Sequence, residues 1–124
     1  MEETLFHEKA LEALKQIPVA FLERLENVEI IVEDFAAPNV LRSLNIHSKW
    51  HLLGLYVGSP LTERSFFHTT LFPDRIYLFR LPILRSYEGK MEIVDAIRDV
   101  IIHEIGHHFG FSDEELLNMS GSDI

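Results

Sequence analysis

The sequence predicts a single α/β domain in which short N-terminal helices and about three short strands accompany one long C-terminal helix. Three observations lead there. Apolar residues recur at helical spacing near the N-terminus, three strand-like apolar runs occupy the middle, and an amphipathic stretch runs from Met91 to Phe109. At 124 residues the chain fits one domain, residues 1–124, large enough to bury a core without covalent staples.

From about Glu3 to Ile17, the residues Phe6, Ala10, Ala13, Leu14 and Ile17 recur at helical spacing. Pro18 then suits the first turn of a second short helix carrying Phe21, Leu22 and Leu25. In VEIIVEDF (28–35), Val28, Ile30 and Val32 alternate with Glu29 and Glu33, as in a strand with one solvated face. LLGLYVG (52–58) is apolar on both faces and is expected at the centre of a sheet. RIYLFR (75–80), bounded by Pro73 and Pro82, reads as a strand nearer an edge. The segment between these two runs, SPLTERSFFHTTLFPD, reads as an exposed loop. In the closing helix Ile93, Ile97 and Val100 share one face, with Glu92, Asp95 and Asp99 largely off it. Gly110 is placed to end that helix as a left-handed cap.

Composition excludes several classes of function. The hydrophobic fraction of 47% with 25% charged residues is ordinary for a globular protein, and the longest apolar runs are far too short to span a bilayer. Eleven basic residues against twenty acidic ones give a net charge of -9, which repels phosphate backbones and argues against nucleic-acid binding. The opening MEETLFHEKA is acidic and amphipathic, without the basic start and continuous apolar core of a secretion signal, so a cytoplasmic protein is expected. There is no cysteine, which removes disulfides, thiolate metal sites and cysteine nucleophiles together. Any metal must be held by His, Asp or Glu.

The stretch HEIGHHFGFSD (103–113) supplies such groups. At about 100° per residue, the stripe of Ile93, Ile97 and Val100 continues into Glu104 and His107, with His103 one step to the side. His103 and His107 lie four residues apart, so their imidazoles leave adjacent turns on one face, the spacing needed to grip one tetrahedral Zn²⁺. Glu104 leans over the same face without having to coordinate, where it can accept a proton from water activated by the metal. Gly110 lets the chain reverse, so that Asp113 can return as a third ligand, although Glu114 or Glu115 could take that place. A fourth position stays open for water.

HExxH alone also occurs in ordinary helices. Here a glycine follows three residues after the second His, and an acidic residue three after the glycine, at a helix end that periodicity predicts independently. Two imidazoles and a carboxylate on an apolar stripe also need a partner that satisfies them, and a cation suits the partial negative charge of a helix C-terminus. The remaining histidines have plainer readings. His47 and His51 are four apart but lack an accompanying carboxylate and capping glycine, while His7 and His68 fall on a polar helix face and in a loop. His108 points about 100° away from His107, which favours core packing or a supporting hydrogen bond over coordination. Asp99, one turn before His103, is placed to orient that imidazole.

HEIGHHFGFSD resembles the extended zinc signature of metzincin-like peptidases, H-E-x-x-H-x-x-G-x-x-H/D, with Asp113 where a third His usually stands. Taken with LLGLYVGSPLTERS, PDRIYLFRLPIL and IRDVIIHEIGHHFGFSDEEL, it makes the chain similar, from about Val28 to Leu117, to a small bacterial family of minimal zincin metallopeptidases. The resemblance implies a small mixed sheet packed on the active-site helix, zinc held by His103, His107 and Asp113, and Glu104 as the general base. It further implies a peptide or protein substrate paired with a sheet edge, expected here at the strand from Arg75 to Arg80. Larger metzincins continue into a subdomain with a methionine turn beneath the zinc, whereas this sequence runs only eleven residues past Asp113, and Met119 falls in an expected helix. The cleft is therefore expected to be open on one side, or completed by a protein partner.

The reading that follows is a zinc-dependent metallopeptidase. Two other classes remain beside it. A zinc-stabilised binding module would keep the site without turnover, and would have no use for Glu104 as a base. A metal-dependent endoribonuclease family with H-x3-H-x5-H spacing matches the intervals of His103, His107 and Asp113, but Glu104 and the net charge of -9 argue against it.

Overall fold

The computed structural model describes residues 1–22, 27–58, 73–110 and 114, and in these the chain folds as a mixture of helices and one three-stranded sheet. Helix α1 (Glu3–Leu14) buries Phe6, Ala10 and Ala13, the apolar stripe that its spacing anticipates. It ends three residues before Ile17, which is still buried, because the chain tightens into a turn closed by Gln16 N–H on the Ala13 carbonyl at 2.9 Å. The short α2 (Val19–Leu22) follows Pro18 and buries Phe21; Leu25, expected to share that helix, lies outside the described residues.

Strand β1 (Val28–Glu33) starts where expected and stops two residues short of Phe35, and it buries Ile30 between exposed Glu29 and Glu33. Then come α3 (Pro38–Ser43), a 3₁₀ turn (Lys49–His51), strand β2 (Gly54–Val57) and strand β3 (Asp74–Phe79). Helix α4 (Arg80–Tyr87) leaves β3 directly, and α5 (Ile93–His108) is the longest element. The sequence reading did not anticipate α3 or α4, whose six and eight residues repeat an apolar stripe too few times to stand out. The segment expected to be an exposed loop falls almost wholly at residues 59–72, outside the described residues.

The sheet order is β1-β3-β2, with β3 parallel to β1 and antiparallel to β2. This reverses the expected order. The run RIYLFR forms the central strand, paired on both sides, and LLGLYVG contributes a strand that among the described residues pairs with β3 alone. The prolines misled because neither lies in the ladder. Pro73 precedes β3, and Pro82 sits in the first turn of α4, where its missing N–H is not needed. β2 is apolar on both faces for another reason: Gly54 and Tyr56 turn inward and are buried, while Leu55 is half-buried on the opposite side.

α1 packs on β1 and α5 on β2, and the two helices pack on each other, so both cover one face of the sheet. Between them Phe6, Ala10 and Ala13 meet a core that includes Ile76, Leu78, Ile97, Ile101, Ile102 and Ile105. Each fully buried Ile contributes about 1.5–3 kcal/mol of transfer free energy. That packing fixes α5 against β2 and therefore the height at which its polar end meets the sheet. Among the described residues no helix is long and apolar enough to cross a membrane.

Candidate metal centre

The last two turns of α5 change character on one face. Ile101, Ile102 and Ile105 remain buried, His103 and Glu104 are half-buried, and His107 is exposed. Gly110 follows with φ +82°, the left-handed conformation expected of its position, and its N–H caps the His107 carbonyl at 3.2 Å.

His103 is held from behind. Its Nδ1 lies 2.9 Å from the backbone oxygen of Asp99, and that carbonyl can only accept, so Nδ1 carries the proton and Nε2 the lone pair. The Asp99 carboxylate stands beside the same nitrogen, with Oδ1 at 3.8 Å. On its other oxygen Asp99 accepts a hydrogen bond of 3.0 Å from the Tyr87 hydroxyl of α4. Burial, then the Asp99 charge and the hydrogen bond to it, push the Tyr87 hydroxyl up to about 12, so it stays a donor. The expected orienting role of Asp99 thus has a geometric basis, with the backbone carbonyl making the closer contact.

The His103 and His107 ring centroids are 6.1 Å apart, with the planes 78° apart. Two imidazoles on one tetrahedral ion at about 2.0–2.1 Å would have centroids roughly 5 Å apart, so these rings stand about 1 Å farther apart than a shared ion would hold them. Glu104 lies between them in sequence and reaches toward the sheet. Burial raises its carboxyl above the usual carboxylate range, while His107, His103 and a hydrogen bond from the Tyr56 backbone oppose that rise. The Tyr56 N–H can reach it because of strand parity. Phe79 N–H bonds the Leu53 carbonyl at 2.9 Å, so the ladder bonds to β3 fall on Leu53, Leu55 and Val57, and Tyr56 turns its backbone groups outward.

Two features here escaped sequence reasoning. Gly54 lets α5 approach the sheet: a Cβ at that position would stand 3.0 Å from Val100 Cγ1 and 3.3 Å from Glu104 Cγ. Tyr56 is the other; its ring stacks on His108 at 4.1 Å and its hydroxyl bonds the Asp74 carboxylate. Only the alternation of Gly54 and Tyr56 on one face of β2 could have signalled them. His108 stacks on Tyr56 and meets Phe109 but is exposed, so it is not the core residue that was expected. His7 reaches the Ile30 carbonyl at 3.4 Å, and exposed His47 and His51 do not share a helix.

Among the described residues no group of three or more His, Asp or Glu side chains is arranged to hold a metal ion. The structure brings together His103, Glu104 and His107; Asp113, Glu115 and His68 lie outside the described residues, and Glu114 is exposed. The donor set that is described fits zinc: two neutral-capable imidazoles from one rigid helix, one of them with its tautomer fixed.

An HExxH helix packed on strand β2 of a small mixed sheet defines a zincin-type architecture. The profile of the zincin-like metallopeptidase family matches residues 25–122, and the chain belongs to that family. No individual curated protein matches the chain.

Proposed function

We propose that this protein is a zinc-dependent peptidase whose metal is held by His103, His107 and Asp113 and whose general base is Glu104. The observation that carries this reading is the position of Glu104: on the helix face shared with His107, half-buried, and tethered to the Tyr56 N–H at the sheet edge. Bound zinc supplies Lewis acidity, polarising the scissile carbonyl and acidifying the attacking water. Glu104 takes the proton of that water and returns it to the leaving amine. Its surroundings suit both halves of the cycle, since burial favours the protonated acid while the two imidazoles and the Tyr56 N–H favour the carboxylate.

The substrate edge expected at β3 is withdrawn, because that strand is paired on both sides. His107 is exposed, which suits short peptides or a cleft completed by a protein partner.

The test is Glu104→Gln, which preserves size and removes the proton acceptor. Cleavage of the best peptide from a broad library should fall by about 10² to 10⁴ in kcat, with zinc content unchanged. Full activity in the variant would sink Glu104 as the base. A parent protein that binds zinc and cleaves nothing in the library would favour a binding module.

A further inference from the structure

We infer that Tyr87 and Asp99 are positioning residues that aim the Nε2 atom of His103 at the metal. The inference rests on the zinc reading above and extends it to side chains outside the HExxH stretch. A helix-borne imidazole can turn about χ1 and χ2 and can carry its proton on either nitrogen; only the tautomer protonated on Nδ1 leaves Nε2 to coordinate. The Asp99 backbone oxygen, 2.9 Å from Nδ1, selects that tautomer. A carbonyl of the same helix, however, also accepts the intrahelical bond, and a carboxylate beside Nδ1–H makes the imidazole a stronger donor than a carbonyl alone.

Asp99 provides that carboxylate, but its side chain is 36% exposed and lies on a helix surface where water competes for it. What restrains it is Tyr87, one helix away. The 3.0 Å hydrogen bond from the Tyr87 hydroxyl to Oδ2 keeps Oδ1 turned toward His103. Tyr87 itself is fixed because it is partly buried against the core at the end of α4. A chain thus runs from α4 through Asp99 to the imidazole, and none of its members besides His103 is needed as a ligand. The plainer role, a hydrogen bond that merely clamps α4 to α5, predicts a loss of stability with no specific effect on the metal.

The experiment measures zinc affinity by chelator competition in the full chain for Tyr87→Phe, Asp99→Ala and the double variant, beside ¹⁵N shifts of the His103 ring in zinc-free protein. Tyr87→Phe keeps the ring and removes only the hydroxyl. Asp99→Ala is expected to weaken zinc by about 10- to 100-fold, and Tyr87→Phe by about 10-fold. In the double variant the loss should equal that of Asp99→Ala alone, since Tyr87 acts through Asp99. The ring shifts of both single variants should move toward those of a less polarised imidazole, with the proton still on Nδ1 because the Asp99 backbone oxygen remains. Unchanged affinity and shifts in folded single variants would overturn the inference, as would losses that simply add in the double variant. A parent protein without zinc affinity would overturn the peptidase reading as well.

Discussion

Gly54 is the position where a single methyl group tests the packing that sets the site. Its backbone is ordinary, so adding a Cβ probes space alone. That atom would stand 3.0 Å from Val100 Cγ1, 3.1 Å from the Tyr77 carbonyl oxygen and 3.3 Å from Glu104 Cγ. None of the three gives easily. Val100 is 4% exposed and its branched side chain has one favoured rotamer in a helix; the Tyr77 oxygen belongs to the central strand. Overpacking of this kind costs about 1–3 kcal/mol, and the stiffer unfolded chain of Ala over Gly offsets about 0.4–1 kcal/mol. The net loss for Gly54→Ala is therefore on the order of 1–2 kcal/mol, a fall in Tm of roughly 4–10 °C for a domain of this size. Chemical denaturation of parent and variant, with matched m-values, measures it. A variant as stable as the parent would refute the claim that Gly54 sets the distance between α5 and β2.

Asp113→Ala should weaken zinc binding severely while leaving the thermal midpoint of zinc-free protein near that of the parent; an unchanged affinity would pass the third-ligand role to Glu114 or Glu115. Ultraviolet titration should include a component that ionises late, near pH 12, and Tyr87→Phe should remove that component. The sign for stability follows. Because the folded hydroxyl ionises above its ordinary value of 10.0, its contribution is fully present below pH 10 and is lost as pH rises toward 12, so alkaline unfolding should be shallower in Tyr87→Phe. Ile101→Ala, at a fully buried position of α5, should destabilise by about 2–5 kcal/mol, measured by the same denaturation.

The helix that carries the candidate metal ligands was legible because its signal is local. The stripe through Ile97 and Val100, its conversion to Glu104 and His107, and Gly110 at the end all depend on a period that a single helix obeys by itself. Strand order was not legible for the opposite reason. Whether β2 or β3 lies in the middle depends on which element covers which face, and the apolar character of LLGLYVG reflects Gly54 and Tyr56 turned inward under α5 rather than neighbours on both edges. Pro82 looked like an edge marker and is a helix-start residue. Tyr56 escaped because its contribution to Glu104 comes from its backbone N–H, which every residue but proline possesses. Asp99 was legible by spacing alone, but its restraint by Tyr87 joins two helices and no periodicity reports it.

Zinc titration of the purified, metal-stripped chain, run in parallel on His103→Ala and His107→Ala, tests the reading of this site most directly. The expected result is saturable binding of close to one zinc per chain in the parent and a loss of several orders of magnitude in affinity in each variant. Binding by either variant as tight as in the parent, or no saturable zinc binding by the parent, would contradict a metal centre at the end of α5.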